Sequence, residues 1–181
     1  MEEKTLIASL KESSQKDSAF NYLVSQYKER LYWHIRKMVL DHDDADDVLQ
    51  NTFIKIFRNI EQFKEESKLY TWMYRIATNE AITFINKKAK KHMVSSEELQ
   101  QQALTRLEAD VYFEGTEIQL KLQKAIASLP EKQRLVFNMK YFDDLTYEEL
   151  SGILDTSVGG LKSSYHLAVK KITEFLQNKT I

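Results

Sequence analysis

The stretch 145–172, LTYEELSGILDTSVGGLKSSYHLAVKKI, constrains this chain more than any other, because it reads as two short amphipathic helices joined by a tight turn. Thr146 and Glu149 stand at the spacing of a capping box, in which hydroxyl and carboxylate satisfy free amides at a helix start. Leu150, Ile153 and Leu154 then supply its apolar face. Asp155, Thr156 and Ser157 break that helix, and Ser157 is placed to cap the next. Leu161, Tyr165, Ala168, Val169 and Ile172 fall within one third of the second helix's circumference and predict its buried face. The opposite face carries Gly160, Ser163, Ser164, His166, Leu167 and Lys170, with Lys162 at its edge. Side chains this short and cationic suit a DNA major groove. A helical hairpin of a soluble bundle can carry a lysine-bearing outer face as well, so this stretch alone leaves both readings open.

The rest of the chain points to helices too. Four glycines and one proline in 181 residues leave few breakers, and no alternating runs of β-branched residues occur, so the fold expected is all-α. The absence of cysteine rules out disulfides and thiolate metal sites. No apolar run approaches the roughly 20 residues of a membrane span, and the N-terminal segment has no signal-peptide core, so a cytoplasmic protein without membrane insertion is expected. A net charge of −1 argues against non-specific coating of nucleic acid. The charges are nonetheless segregated: Lys87, Lys88, Lys90 and Lys91 crowd together, and Glu97, Glu98, Glu108, Asp110, Glu114 and Glu117 follow.

Residues 4–40 read as a short helix and a longer one, with Phe20, Leu23, Val24, Tyr27, Leu31, Ile35 and Met38 as core; Tyr32 and Trp33 beside that stripe are packing or partner surface, with packing expected. An acidic cluster opens 41–60 and suits the positive end of a helix dipole, while Val48, Leu49, Phe53, Ile56, Phe57 and Ile60 form the buried stripe. A calcium loop fails here, since Ala45, Asp46 and Thr52 occupy positions that need a ligand, a glycine and a glutamate. Asp47 and Gln50 project away from the core and are candidates for a protein partner. After a polar connection, 68–91 is a helix with Leu69, Trp72, Met73, Ile76, Ala77, Ala81 and Phe84 on one face. Tyr74, Arg75, Thr78, Asn79 and Ile82 are expected outside it, and Glu80 falls on the apolar side without an evident reason. Aromatics interleaved with Arg and Asn, running into lysines, suit unstacked bases and phosphates. Residues 93–117 are glutamine-rich and acidic, a linker with partial helix around Leu99, Leu104 and Leu107. An amphipathic helix over 118–129, a second begun by Pro130 and holding Leu135, Val136, Phe137 and Met139, and the opening helix pair make a second compact unit.

Four pieces in this order carry a family resemblance: DADDVLQNTFIKIF; F-x5-LYTWMYRIA-x-N; ASLPEKQRLVFNMKYFDDLTYEELSGIL; and SVGGLKSSYHLAVKKI. The chain resembles bacterial sigma factors of the sigma-70 class, in particular the small extracytoplasmic-function (ECF) group. The resemblance implies a region 2 helical bundle over 1–92, a flexible acidic linker over 93–117 and a region 4 helix-turn-helix over 118–181. It implies that Asp47, Gln50 and Phe53 dock on the clamp helices of the largest subunit of core RNA polymerase, with region 4 meeting the flap of the second subunit. The loop 64–68, with Lys64, Ser67 and Lys68, resembles the one that captures a base flipped from the minus-10 element. Tyr70, Trp72, Arg75 and Asn79, followed by Lys87 and Lys88, match the helix that helps separate the strands. Lys162, Ser163, His166 and Leu167 match positions that read the minus-35 element, with Ser164 and Lys170 beside the phosphates. Relatives are richer in arginine here, so the promoter sequence cannot be borrowed from them. Leu167 meets a thymine methyl or is covered by something else.

By resemblance the chain directs promoter-specific initiation, needs no cofactor, performs no catalysis of its own, and is held inactive by an anti-sigma factor. Two readings of other classes compete. One is a two-domain helix-turn-helix regulator acting without polymerase, and the other is a helical interaction protein with no DNA role. The surfaces at Asp47–Gln50 and Trp72–Lys91 discriminate, because an operator binder needs neither.

Overall fold

The computed structural model describes residues 2–107 and 117–177, and among them every regular element is helical. The order is α1 (Glu3–Lys11), α2 (Lys16–Val39), α3 (His42–Asn59), a single 3-10 turn (Ile60–Gln62), α4 (Leu69–His92), α5 (Ser96–Leu107), α6 (Glu117–Ala127), α7 (Glu131–Tyr141), α8 (Tyr147–Leu154) and α9 (Val158–Gln177). The acidic stretch 108–116 and the C-terminal four residues lie outside the described residues.

The helices start where capping groups stand. The Asp41 carboxylate accepts from the Asp44 amide at 3.0 Å and opens α3. At α8 the reciprocal box forms: Thr146 Oγ1 accepts from the Glu149 amide at 3.2 Å, and Glu149 Oε2 accepts from the Thr146 amide at 2.9 Å. Ser157 Oγ accepts from the Gly160 amide at 3.2 Å and begins α9. With so few glycines, the left-handed turns fall on Leu40, Glu65, Met93, Asp144 and Asp155 instead.

The first unit packs α1, α2, α3 and α4 together, and α6, α7 and α9 enclose a smaller cluster of Ala125, Ile126, Leu129, Phe137, Ala168 and Ile172. The helix α8 joins the two. Its Leu150 and Ile153, with Leu145 and Leu161, belong to the same continuous core as Leu69, Met73 and Tyr74 of α4. This packing corrects the expectation for α4: Tyr74 and Thr78, expected outside from the sequence, are fully buried, with His34 of α2 against both and Arg30 of α2 on the Tyr74 hydroxyl. Ile82 is half-buried. Glu80, unexplained from the sequence, pairs with Lys55 of α3.

A polar cluster finishes the joint. Asp143, just after α7, receives Lys37 Nζ at 2.6 Å and faces His34 Nδ1 at 3.1 Å, both from α2. Arg30 donates to the Asp143 carbonyl at 3.2 Å and to the Tyr74 hydroxyl at 3.1 Å. Thr78 donates to the Tyr74 carbonyl at 2.7 Å, and its oxygen lies 2.9 Å from His34 Nε2. Burial alone would raise the Asp143 carboxyl, but the hydrogen bonds and positive charge of His34 and Lys37 outweigh it and hold that group below the ordinary carboxylate range. Burial, with the Asp143 charge adding to it, pushes the Tyr74 hydroxyl well up, so it stays protonated as the acceptor for Arg30.

Two outcomes test this packing. Replacing the buried Leu161 with alanine should cost about 2–5 kcal/mol, whereas Leu167→Ala, on the exposed side of α9, should stay within about 0.5 kcal/mol; denaturant unfolding of both variants checks the helix orientation. Because the folded Asp143 carboxyl is depressed, its stabilising contribution is present above its ordinary value of 3.8 and fades as pH falls through the lower folded value. Asp143→Asn should therefore be less stable than the parent at neutral pH, and the gap should close under acid in unfolding curves measured across that range.

Candidate nucleic-acid and polymerase interfaces

On α9 the buried residues Leu161, Ala168 and Ile172 fix the helix's rotation against α7 and α8. That rotation leaves Lys162, Ser163, His166, Leu167 and Lys170 exposed and Ser164 half-buried. Val169, expected inside, is 39% exposed, since Leu161, Ala168 and Ile172 already define the covered stripe and Val169 lies beyond its edge. Tyr165 is half-buried, stacked on Phe137 at 5.9 Å. Lys162 Nζ lies 5.7 Å from the Tyr147 ring, which steadies the cation at the near end of the reading face. Leu167 is 45% exposed.

The residues expected to handle single strands divide between two sides of α4. Arg75 and Asn79 are exposed on one side together with half-buried Trp72, whose ring packs on Phe63 at 5.2 Å. Tyr70 lies on the other side, near Tyr74, where its hydroxyl donates to the Glu149 carboxylate of α8. Lys68 Nζ reaches the same carboxylate at 3.1 Å and stands 5.5 Å from the Tyr70 ring, and the Arg30 guanidinium is 5.4 Å from that ring. Glu149 thus caps α8 with one oxygen and engages α4 and its leading loop with the other. Lys64, Ser67 and Lys68 are all exposed on that loop. Lys87 is exposed, and Lys88 pairs with Asp44 at the start of α3.

The helix α3 presents Asp47 and Gln50 to solvent, and Phe53 is half-buried edge-on to Phe20 at 6.2 Å. Ile54, 41% exposed, extends the same face one turn on. Sequence reasoning missed it, although its spacing of seven from Asp47 is the signal that finds it. Tyr32 packs as expected against His42, with ring centroids 5.8 Å apart. Trp33 does not: it is 53% exposed, held edge-on to Tyr32 at 5.3 Å. Among the described residues no group of three or more His, Cys, Asp or Glu side chains is placed to hold a metal ion, and no helix is long and apolar enough to cross a membrane.

Known proteins share this arrangement. Sigma-70 region 2 matches residues 23–91, and Sigma-70, region 4 matches residues 119–172. The ECF RNA polymerase sigma factor SigW of Bacillus subtilis is 34% identical over 171 residues, covering 90% of this chain and 90% of the relative. The RNA polymerase sigma-H factor of Pseudomonas aeruginosa is 30% identical over 175 residues, covering 88% and 86%. Among solved structures, CnrH in complex with the cytosolic domain of CnrY superposes with a TM-score of 0.73 at 19% identity, covering 98% of this chain and 99% of that one. The sigma factor RpoE in complex with the anti-sigma factor NepR from Bartonella quintana gives 0.68 at 19%, covering 88% and 98%. The expected family and the all-helical fold are both met. This chain belongs to the ECF group of sigma-70 family RNA polymerase sigma factors.

Proposed function

We propose that the chain is a promoter-specificity subunit that binds core RNA polymerase and grips two promoter elements at once. The observation that carries this is the free outer face of α9 on a chain whose α3 and α4 present further exposed polar faces, which the fold itself does not use. In this reading Lys162, Ser163, His166 and Leu167 read the minus-35 duplex, and Ser164 and Lys170 stand by its phosphates. The exposed Leu167 meets a thymine methyl. Lys64, Ser67 and Lys68 take a base extruded from the minus-10 element, and Tyr70, Trp72, Arg75, Asn79, Lys87 and Lys88 hold the separated strand. Asp47, Gln50 and Phe53 engage the polymerase clamp helices, and the second unit meets the flap.

Strand opening asks for stacking surfaces and charge rather than acid, base or nucleophile, so the chain supplies no catalytic group and needs no cofactor. The units serving as region 2 and region 4 are 1–92 and 118–181, with 93–117 as the tether. Tethering two modest binders raises their joint affinity through effective concentration.

The two elements stand about 25 base pairs apart by their names, roughly 85 Å at 3.4 Å per base pair. With α8 packed on α4, one molecule cannot reach both. Tyr70 and Lys68 are also occupied by Glu149. The arrangement described is therefore the resting form, and the joint opens when polymerase and promoter are bound. An anti-sigma factor is the partner that would hold the resting form, in the cytoplasm where promoter DNA lies.

The test uses the full chain reconstituted with core polymerase. Asp47→Ala should weaken core binding by roughly tenfold with the melting temperature unchanged, and an unaltered affinity removes that residue from the interface. Lys162→Ala should lower transcription from a promoter carrying a minus-35 element by roughly tenfold and leave core binding intact. A variant as active as its parent shows that α9 does not read the duplex.

A further inference from the structure

The loop 63–69 is the segment on which base capture rests, yet its own sequence holds it poorly. It has no glycine or proline, Glu65 sits at a positive φ of 60°, and the side chain of Lys68, in the N-cap position of α4, gives no capping hydrogen bond. Both ends are instead tied to α1. Lys11, the last residue of α1, donates to the Phe63 carbonyl at 2.9 Å and to the Glu65 carboxylate at 3.0 Å. Glu3, at the other end of α1, accepts from the Leu69 amide at 3.1 Å and so caps α4 from a different helix. Those two side chains are about 12 Å apart along the helix axis at 1.5 Å per residue, enough to straddle the loop. Buried Leu6, Ile7 and Leu10 anchor α1 between them. The stretch that matches Sigma-70 region 2 begins at residue 23, after α1.

We propose that α1 is a brace for the base-capture loop, with Lys11 and Glu3 as positioning residues that set the specificity of minus-10 recognition without touching DNA. This rests on the reading of 64–68 as the capture loop. A flipped base is selected by hydrogen bonds and stacking in a pocket whose walls must not move. Lys11 holds Glu65 in a conformation that L side chains rarely adopt, which fixes where the exposed Lys64 and Ser67 are presented. Glu3 fixes the first turn of α4 and, through it, the position of Lys68 and Tyr70. The Lys11–Glu65 pair is partly exposed and screened by salt, so its value is geometric rather than a large share of stability.

The test compares the parent, Lys11→Met, Lys11→Arg and Glu3→Ala in holoenzyme with core polymerase. The probe is a fork-junction DNA whose minus-10 strand is selected from a random library by the parent holoenzyme. Lys11→Met and Glu3→Ala should leave core affinity unchanged while discrimination among the four bases at the captured position falls by roughly tenfold. Lys11→Arg, which keeps both donors, should restore it. Amide exchange at 64–69 should quicken in Lys11→Met and return to the parent rate in Lys11→Arg. Unchanged exchange overturns the brace. Faster exchange with full base discrimination overturns its role in specificity, and joint loss of core binding and discrimination reduces Lys11 to a general structural residue. Failure of the capture-loop reading is separable: a Lys64→Ala/Ser67→Ala variant with full discrimination would remove the loop from base recognition whatever α1 does.

Discussion

Everything in this molecule leans on α4 being buried over far more of its circumference than a surface helix allows. Leu69, Thr71, Met73, Tyr74, Ala77, Thr78, Ala81 and Ile85 are all buried, and at 100° per residue they sweep an arc of roughly 200°. One layer of neighbours cannot cover such an arc. The helices α2 and α3 take one part of it and α8 takes the rest, which draws the duplex-reading unit onto the unit that handles single strands. Small residues at 77, 81 and 89 let the neighbours approach, and the two tyrosines and two threonines on the covered side make the contact partly polar.

The polar part gives the joint its character. Asp143 carries a buried negative charge answered by Lys37 and His34, and Glu149 a half-buried one answered by Lys68 and the Tyr70 hydroxyl. Apolar burial is non-directional and fits many registers, whereas these pairs are satisfied in one only. In the function proposed here Lys68 and Tyr70 also serve the promoter strand, so a carboxylate of the second unit engages the groups proposed to meet DNA. The partly exposed Lys68–Glu149 pair is the weaker member of the joint, open to screening by salt.

Much of this was legible before any coordinates. The capping box at Thr146, the Ser157 cap, the buried Leu161 and Ile172 and the exposed Lys162, Ser163 and His166 all follow from local rules that act within one or two turns. Several features depend instead on contacts distant in sequence. Nothing within α4 announces that Arg30 and His34 of α2 cover Tyr74 and Thr78, and the partner of Glu80 is Lys55 on another helix. Spacing leaves Trp33 at the edge of the α2 stripe, between packing and partner surface, and the structure exposes it. Nor could spacing reveal that Glu3 caps α4 or that Lys11 holds Glu65, since each link spans more than fifty positions. The turns were hidden as well, because they fall on Leu40, Glu65, Met93, Asp144 and Asp155 rather than on glycine.

One chain here lends promoter choice to an enzyme that otherwise lacks it. Run-off transcription with core polymerase, on a template library from which productive promoters are recovered, measures this directly. The account predicts a discrete start site preceded by two short shared elements about 25 base pairs apart, roughly 85 Å of duplex, with no transcript from core alone. Duplex DNA binding by the isolated chain, with no co-migration with core and no start site, would contradict it.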